Sequence, residues 1–189
     1  MQEITLIHET KQAVRKRLCW RVDHVHSSNQ FHMEQLFGKV GGQFNLYAGL
    51  ITARDERFSN AHVEFWIDAK NIYAENKKRE EFLKSHKVFK AESYPHIEFR
   101  STRIRKLGMI DYIMEGDLTI RGITKKVYFE IECGAPLHNH WGTKRVGFKV
   151  RGEINRMDFG MKSIRPLESG GIYIDKWIKF DFDLVFVKA

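Results

Sequence analysis

The side chains best suited to chemistry in this sequence come in short-range pairs. His24 and His26 stand two residues apart, and His138 and His140 repeat that spacing in an expected loop near Pro136. On a strand the first pair would put both imidazoles on one face, where they can share a metal ion. No third ligand of suitable type lies at a defining distance, and nine histidines in one chain make coincidental pairs easy. Arg156 and Asp158 repeat the spacing with opposite charges. On a strand they share the face of Ile154, and a buried charge needs a partner. Two roles follow: a mutual or networked salt bridge, or an Arg156 that meets the polar head of a ligand. Cys19 and Cys133 fit no zinc or redox spacing and read as structural thiols.

No serine nucleophile elbow, phosphate-binding loop, dinucleotide glycine pattern or His-Glu-x-x-His motif occurs. The carboxylates fall mostly on polar, outward faces. The expectation is therefore a protein without catalytic residues, cofactor or metal, and the weight shifts to the apolar residues.

Those residues alternate. Val63, Phe65 and Ile67 share one face of 61–69, and Ile97 and Phe99 one face of 95–101. Leu118 and Ile120 belong to a strand over 112–121, and Val127, Phe129 and Ile131 to one over 126–132. Val146, Phe148, Val150 and Ile154 align over 146–154; Ile178, Phe180, Phe182, Leu184 and Phe186 align over 177–186. Phe44, Leu46, Ala48 and Leu50 give a further strand, as does the stretch from Trp20 to Met33. About eight strands with one polar face each describe an antiparallel sandwich or barrel, not a parallel sheet buried on both sides. In "GDLTIRGITKKV" (116–127), Gly122 breaks the alternation and marks a tight turn, with Arg121 and Thr124 beside it. One segment differs: 76–90 places Phe82, Leu83, His86 and Phe89 at helical spacing, predicting a short amphipathic helix on or across the sheet.

With 189 residues, 42% hydrophobic and 30% charged, the chain suits a single domain. Net charge is +8, which favours anionic partners without choosing among them. A basic barrel binding nucleic acid through surface aromatics is one reading, but the phenylalanines point inward, so no specific nucleic-acid partner is expected. No apolar run of about 7–15 residues follows a basic start, and none of about 18 residues occurs anywhere. The expectation is a cytoplasmic protein, compatible with membrane contact but not integral to a membrane. A barrel of about eight strands either fills with side chains or holds one small ligand, and composition does not choose.

Five motifs in order make the chain resemble the YceI-like family of polyisoprenoid-binding domains. They are "WRVDHVHSSNQFHM", "RFSNAHVEFWIDAKNI", "NKKREEFLKSHKVFKAESYPHIEF", "GDLTIRGITKKV" and "INRMDFGM". The likeness runs from about Trp20 to Val187, leaving 1–18 as an N-terminal extension before a domain over 19–189. Lys87-Val88-Phe89 departs from the family's usual Asp-Phe-Phe. The resemblance implies an all-β, eight-stranded antiparallel, lipocalin-like barrel with one short amphipathic helix. It further implies a non-catalytic carrier holding an isoprenoid, quinone or other long-chain lipid, and it is compatible with a homodimer. His24 and Ser27 lie close to a family pattern, for which hydrogen bonding at the barrel end is expected. Strand parity then supplies the wall of the pocket: Phe44, Phe65, Ile67, Ile97, Phe99, Leu118, Ile120, Phe129, Phe148, Phe180 and Phe182. Phe82 and Phe89 stand at the helix, and Arg156 is the candidate for a polar head group. The rival is an enzyme acting on such a lipid, metal-assisted through histidine.

Overall fold

Alternating apolar and polar residues can bury one face only by closing a sheet on itself or stacking two sheets, and this chain closes. The computed structural model describes residues 17–35, 37–140, 142–161 and 174–189. Its strands are β1 (Leu18–Val22), β2 (Ser28–Gln35), β3 (Gly38–Phe44), β4 (Tyr47–Ala53), β5 (His62–Asp68) and β6 (Ile72–Tyr73). After helix α1 (Lys77–Lys84) come β7 (His96–Lys106), β8 (Asp111–Ile120), β9 (Ile123–Cys133), β10 (Leu137–His138), β11 (Lys144–Asn155) and β12 (Trp177–Lys188). All pairings are antiparallel. The order β11-β9-β8-β7-β5-β4-β1-β12 returns to β11 through a long β11–β12 ladder, closing an eight-stranded barrel. Of the expected extension over 1–18, residues 1–16 lie outside the described residues, and Leu18 already belongs to β1.

Three of the eight staves are bent, which corrects two expected strands. The stretch from Trp20 to Met33 is not continuous: Asp23 caps a short 3₁₀ turn at His24–His26, and β1 and β2 then pair with successive parts of β12. The Ser27 hydroxyl stands in for a ladder partner, accepting from the Val185 N–H at 2.9 Å. Likewise β3 and β4 are separated at Asn45–Leu46, where the buried Asn29 amide bonds both backbone groups of Phe44. One bend inverts the facing of everything beyond it, because side chains alternate with period two. Phe44 points inward, but so do Tyr47 and Ile51, while Leu46 and Ala48 are exposed and not on the expected inner face. The third bend joins β5 to β6 through Ala69–Asn71.

Between β8 and β9, Arg121 (φ 55°) and Gly122 (φ 73°) both lie in the left-handed region, as a two-residue hairpin turn matched to strand twist requires. The Arg121 guanidinium donates to the Val88 carbonyl at 3.2 Å and so ties this turn to the segment after the helix.

That helix is shorter than its apolar spacing suggests. Asn76 caps it, accepting from Arg79 N–H, and Ser85 ends it by bonding the Phe82 carbonyl. Phe89 is delivered by the turn beyond, with Lys90 at φ 51°. Its ring meets Phe31 and Phe44 edge-on at 5.4 and 5.8 Å, sealing one end of the barrel. At the other end the loop 54–61 crosses the opening. Phe58 (φ 56°) drops between Trp20 and Phe148, with ring centroids 5.5 and 5.3 Å away.

Candidate functional site

The interior between these two plugs is a long apolar slot. Its walls come from β3, β4, β5, β7, β8, β9, β11 and β12, no polar atom faces it, and its volume is about 110 Å³. The wall differs from the plugs in packing. Phe99, Phe129, Phe148 and Phe182 along its middle keep 7–8% of their surface accessible, whereas Phe44 and Phe89 at one end and Phe58 at the other keep 1–4%. Filled interiors pack to crystal-like density, and the cavity of about 110 Å³ marks where this one does not. The fold therefore holds both: compact ends and an unfilled middle.

Glycines make the room. A Cβ at Gly49 would sit 2.8 Å from the Phe65 ring, and a Cβ at Gly116 or Gly152 would collide with Phe99 or Phe129. Each ring lies against a neighbouring strand's bare backbone, as when an aromatic covers a strand glycine, and so stays beside the slot.

The structure brings together Phe44, Phe65, Ile67, Phe89, Ile97, Phe99, Leu118, Ile120, Phe129, Phe148, Phe180 and Phe182 on this wall. It does not bring Phe82 or Arg156 to it. Phe82 lies half-buried against the outside of the core, holding α1 down. Arg156 does not continue β11: the chain leaves the strand at Asn155, whose side chain caps a 3₁₀ turn ending at Gly160 with φ 67°. The guanidinium is fully buried, with Nε donating to the Asp175 carbonyl at 2.9 Å and Nη2 to the Ile174 carbonyl at 3.3 Å. Asp158 is exposed on that turn, so the expected shared face of Arg156, Asp158 and Ile154 does not form. Tyr112, Met114 and Ile131 were legible by the same parity as Leu118 and Phe129 but absent from the expected wall, which they line. Phe58 carries no periodic signal at all, since it arrives on a loop.

Polar groups gather at the Phe58 end. The Tyr112 hydroxyl donates to the Arg57 carbonyl at 3.0 Å, and Lys106 places its ammonium 5.5 Å from the centre of the Tyr112 ring. Glu56 is clasped by Lys144 at 2.5 Å and Lys188 at 3.3 Å, fixing the loop to β11 and β12. The Lys144 hydrogen bond above all holds the Glu56 carboxyl below its ordinary value, against a smaller push from burial. Burial pushes the Cys133 thiol up to about 11, opposed weakly by the nearby Lys106 charge.

The histidines do other work. The kink at His24–His26 lies part-way along the wall, opposite Val185, and not at the barrel end. His24 packs on Tyr47 with centroids 4.6 Å apart, and His26 Nδ1 meets Asp23 Oδ2 at 2.9 Å. Burial pushes the Asp23 carboxyl up, but hydrogen bonds from His26 and Val25 and the charge of Arg145 outweigh it and leave it low. His138 sits on β10 and not in a loop. Among the described residues no three His, Cys, Asp or Glu side chains converge on a point that could hold a metal, and no helix is long and apolar enough to cross a membrane.

The sequence matches the YceI-like domain family over residues 20–186. The chain belongs to the YceI-like family. A UPF0312 protein of Staphylococcus aureus is 30% identical over 166 residues, spanning 87% of this chain and 94% of that protein. Among solved structures, Burkholderia cenocepacia BcnA aligns with a TM-score of 0.72 at 20% identity, covering 87% of this chain and 98% of BcnA. A Campylobacter jejuni YceI protein aligns at 0.66 and 25% identity, covering 77% and 83%. A polyisoprenoid binding domain from Saccharophagus degradans aligns at 0.68 and 15% identity, covering 91% and 99%. The YceI-like barrel expected from the sequence is thus the barrel observed.

Proposed function

We propose that this YceI-like protein is a non-catalytic carrier that encloses the apolar chain of an isoprenoid, an isoprenoid-tailed quinone or a similar amphiphile. One observation carries this reading: a slot running between the two plugged ends, walled by apolar side chains and faced by no polar atom. Such a wall offers a hydrocarbon chain everything it needs and offers a polar substrate nothing. Ten methylene-sized groups buried there yield about 8 kcal/mol gross, before the costs of ordering and association. The Saccharophagus neighbour, described as a polyisoprenoid binding domain, makes isoprenoids the first class to try.

A volume of about 110 Å³ is less than the roughly 150 Å³ apolar cavity that admits benzene. Cargo longer than a few carbons therefore enters as wall rings turn. Phe65 and Phe180, which are less buried than the other wall phenylalanines, are the ones with room to do so. Head-group contact falls to the Phe58 end, where Lys106 and Tyr112 supply a cation and a hydroxyl.

The deciding experiment is native mass spectrometry of the purified protein, followed by organic extraction and lipid analysis. A co-purifying apolar chain near one per subunit, or saturable uptake of added isoprenoid, is the expected result. Protein that emerges ligand-free and ignores added isoprenoids, quinones and fatty acids would overturn the carrier function.

A further inference from the structure

The Phe58 end of the barrel carries a second feature that cargo enclosure does not use. β7 and β8 meet in a tip, residues 107–110, whose backbone is fixed: Leu107 and Gly108 N–H both donate to the Asp111 carbonyl, and Cys133 N–H donates to the Ile110 carbonyl. From this tip Leu107, Met109 and Ile110 project into solvent, 64%, 89% and 45% exposed. Three large apolar side chains in four residues, on a tip anchored by these bonds, are unusual on a water-facing surface.

Cations surround them. Arg103, Arg105 and Lys106 lie on β7 immediately before the tip, and Arg54 and Arg57 lie on the loop beside it. All five are exposed, and none of them forms a salt bridge among the described residues. The carboxylates around them are Asp55, Asp111, Glu130, Glu132 and, opposite Arg103 on β8, Glu115. Glu132 is paired with Arg151 and Glu115 with Lys126, so the five cations still outnumber the acidic groups left over. An apolar wedge ringed by exposed cations matches an anionic bilayer surface in both respects: acyl chains take the wedge, and head groups take the ring. The same end holds the Phe58 plug, with Tyr112 and Cys133 of the slot wall beside it.

We propose that the Leu107–Met109–Ile110 tip and its ring of cations dock this end of the barrel onto an anionic bilayer. Apolar cargo then passes between membrane and slot beneath the Phe58 loop without crossing water. The proposal rests on the carrier reading for its purpose, but not for its test.

Co-sedimentation with vesicles of phosphatidylglycerol and phosphatidylcholine, against phosphatidylcholine alone, measures docking, with cargo content assayed in parallel. Wild-type protein binds the anionic vesicles, and binding weakens as salt screens the cations. The double variant Leu107→Ser, Met109→Ser loses about tenfold or more in partitioning, and Arg103→Ser and Arg105→Ser lose roughly fivefold each. All of these positions are exposed, so the fold survives. Ile123→Ser, an exposed apolar position at the opposite end, leaves binding unchanged. The proposal is overturned if wild-type protein ignores anionic vesicles, if the tip variant binds as well as wild type, or if the tip drives dimerisation without vesicle binding. Cargo-loaded protein that ignores vesicles overturns docking alone. Protein that docks through its tip yet carries no cargo upholds docking and overturns the carrier reading.

Discussion

The ring of Phe129 on β9 occupies the space that a Cβ on Gly152 of β11 would need. The same relationship joins Phe99 to Gly116 and Phe65 to Gly49, so the slot exists because large rings are parked against bare backbone. Gly152→Ala should displace the Phe129 ring into the slot. Overpacking of this kind costs about 1–3 kcal/mol, read from urea unfolding midpoints, and it should lower cargo content. Phe129→Leu in the same chain should recover part of that loss. A double-mutant coupling below about 0.5 kcal/mol would show that ring and glycine do not share the space.

Glu56 fastens the Phe58 loop through Lys144 and Lys188. Its carboxyl is held below the ordinary value, so its contribution is fully present above that value and disappears as the pH falls through the depressed one. Glu56→Gln should therefore destabilise the protein near neutrality, by about 1 kcal/mol or less given the exposure of the group. The wild-type and variant stability curves should converge in acid. Apolar cargo should also exchange faster from the variant at neutral pH, where the loop has lost its clasp. Curves that stay parallel down to the lowest accessible pH would mean that the clasp contributes nothing.

Alternation made most of this fold legible. Val127, Phe129 and Ile131 face inward as spaced, and Gly122 turns the β8–β9 hairpin. Legibility failed wherever the chain bends, because a period-two pattern is silent about where it restarts. Phe44 and Leu46 read as partners on one face, yet the break at Asn45–Leu46, supported by Asn29 from another strand, sends Leu46 to solvent. Arg156 failed for a related reason: its motif is a turn capped by Asn155, and spacing alone cannot tell a turn from the end of a strand. Phe58 was invisible because a loop residue obeys no period. Carbonyl partners contributed by a distant segment, such as Ile174 and Asp175 for Arg156, leave no local trace either.

Cys133 gives a direct probe of the wall. Burial raises its thiol to about 11, and Sγ lies 3.3 Å from the Gly134 carbonyl, to which only the protonated thiol can donate. At pH 8 roughly a thousandth of it is thiolate, the reactive form. Iodoacetamide at that pH should modify Cys133 about a hundredfold more slowly in the native protein than in urea, as quantified by peptide mass spectrometry. Equal rates in the two states would place the thiol in contact with solvent and open the wall at β9.

Arg156 distinguishes a structural cation from a ligand-binding one. Its guanidinium donates to the Asp175 and Ile174 carbonyls, and it stands off the slot wall. Arg156→Met keeps much of the volume and removes the donors, leaving the buried Ile174 carbonyl without this bond at a cost of about 1–3 kcal/mol, and the part-buried Asp175 carbonyl at a smaller one. A substantial fall in the thermal midpoint is expected, with cargo stoichiometry and the class of lipid bound both unchanged in the protein that remains folded. Lys106→Met is the informative comparison. It should leave the midpoint nearly unmoved, since Lys106 is exposed at the rim, and weaken retention of lipids with anionic heads. If the two variants exchanged these effects, the head-group end of the slot would lie at the 3₁₀ turn after β11 and not beneath the Phe58 loop.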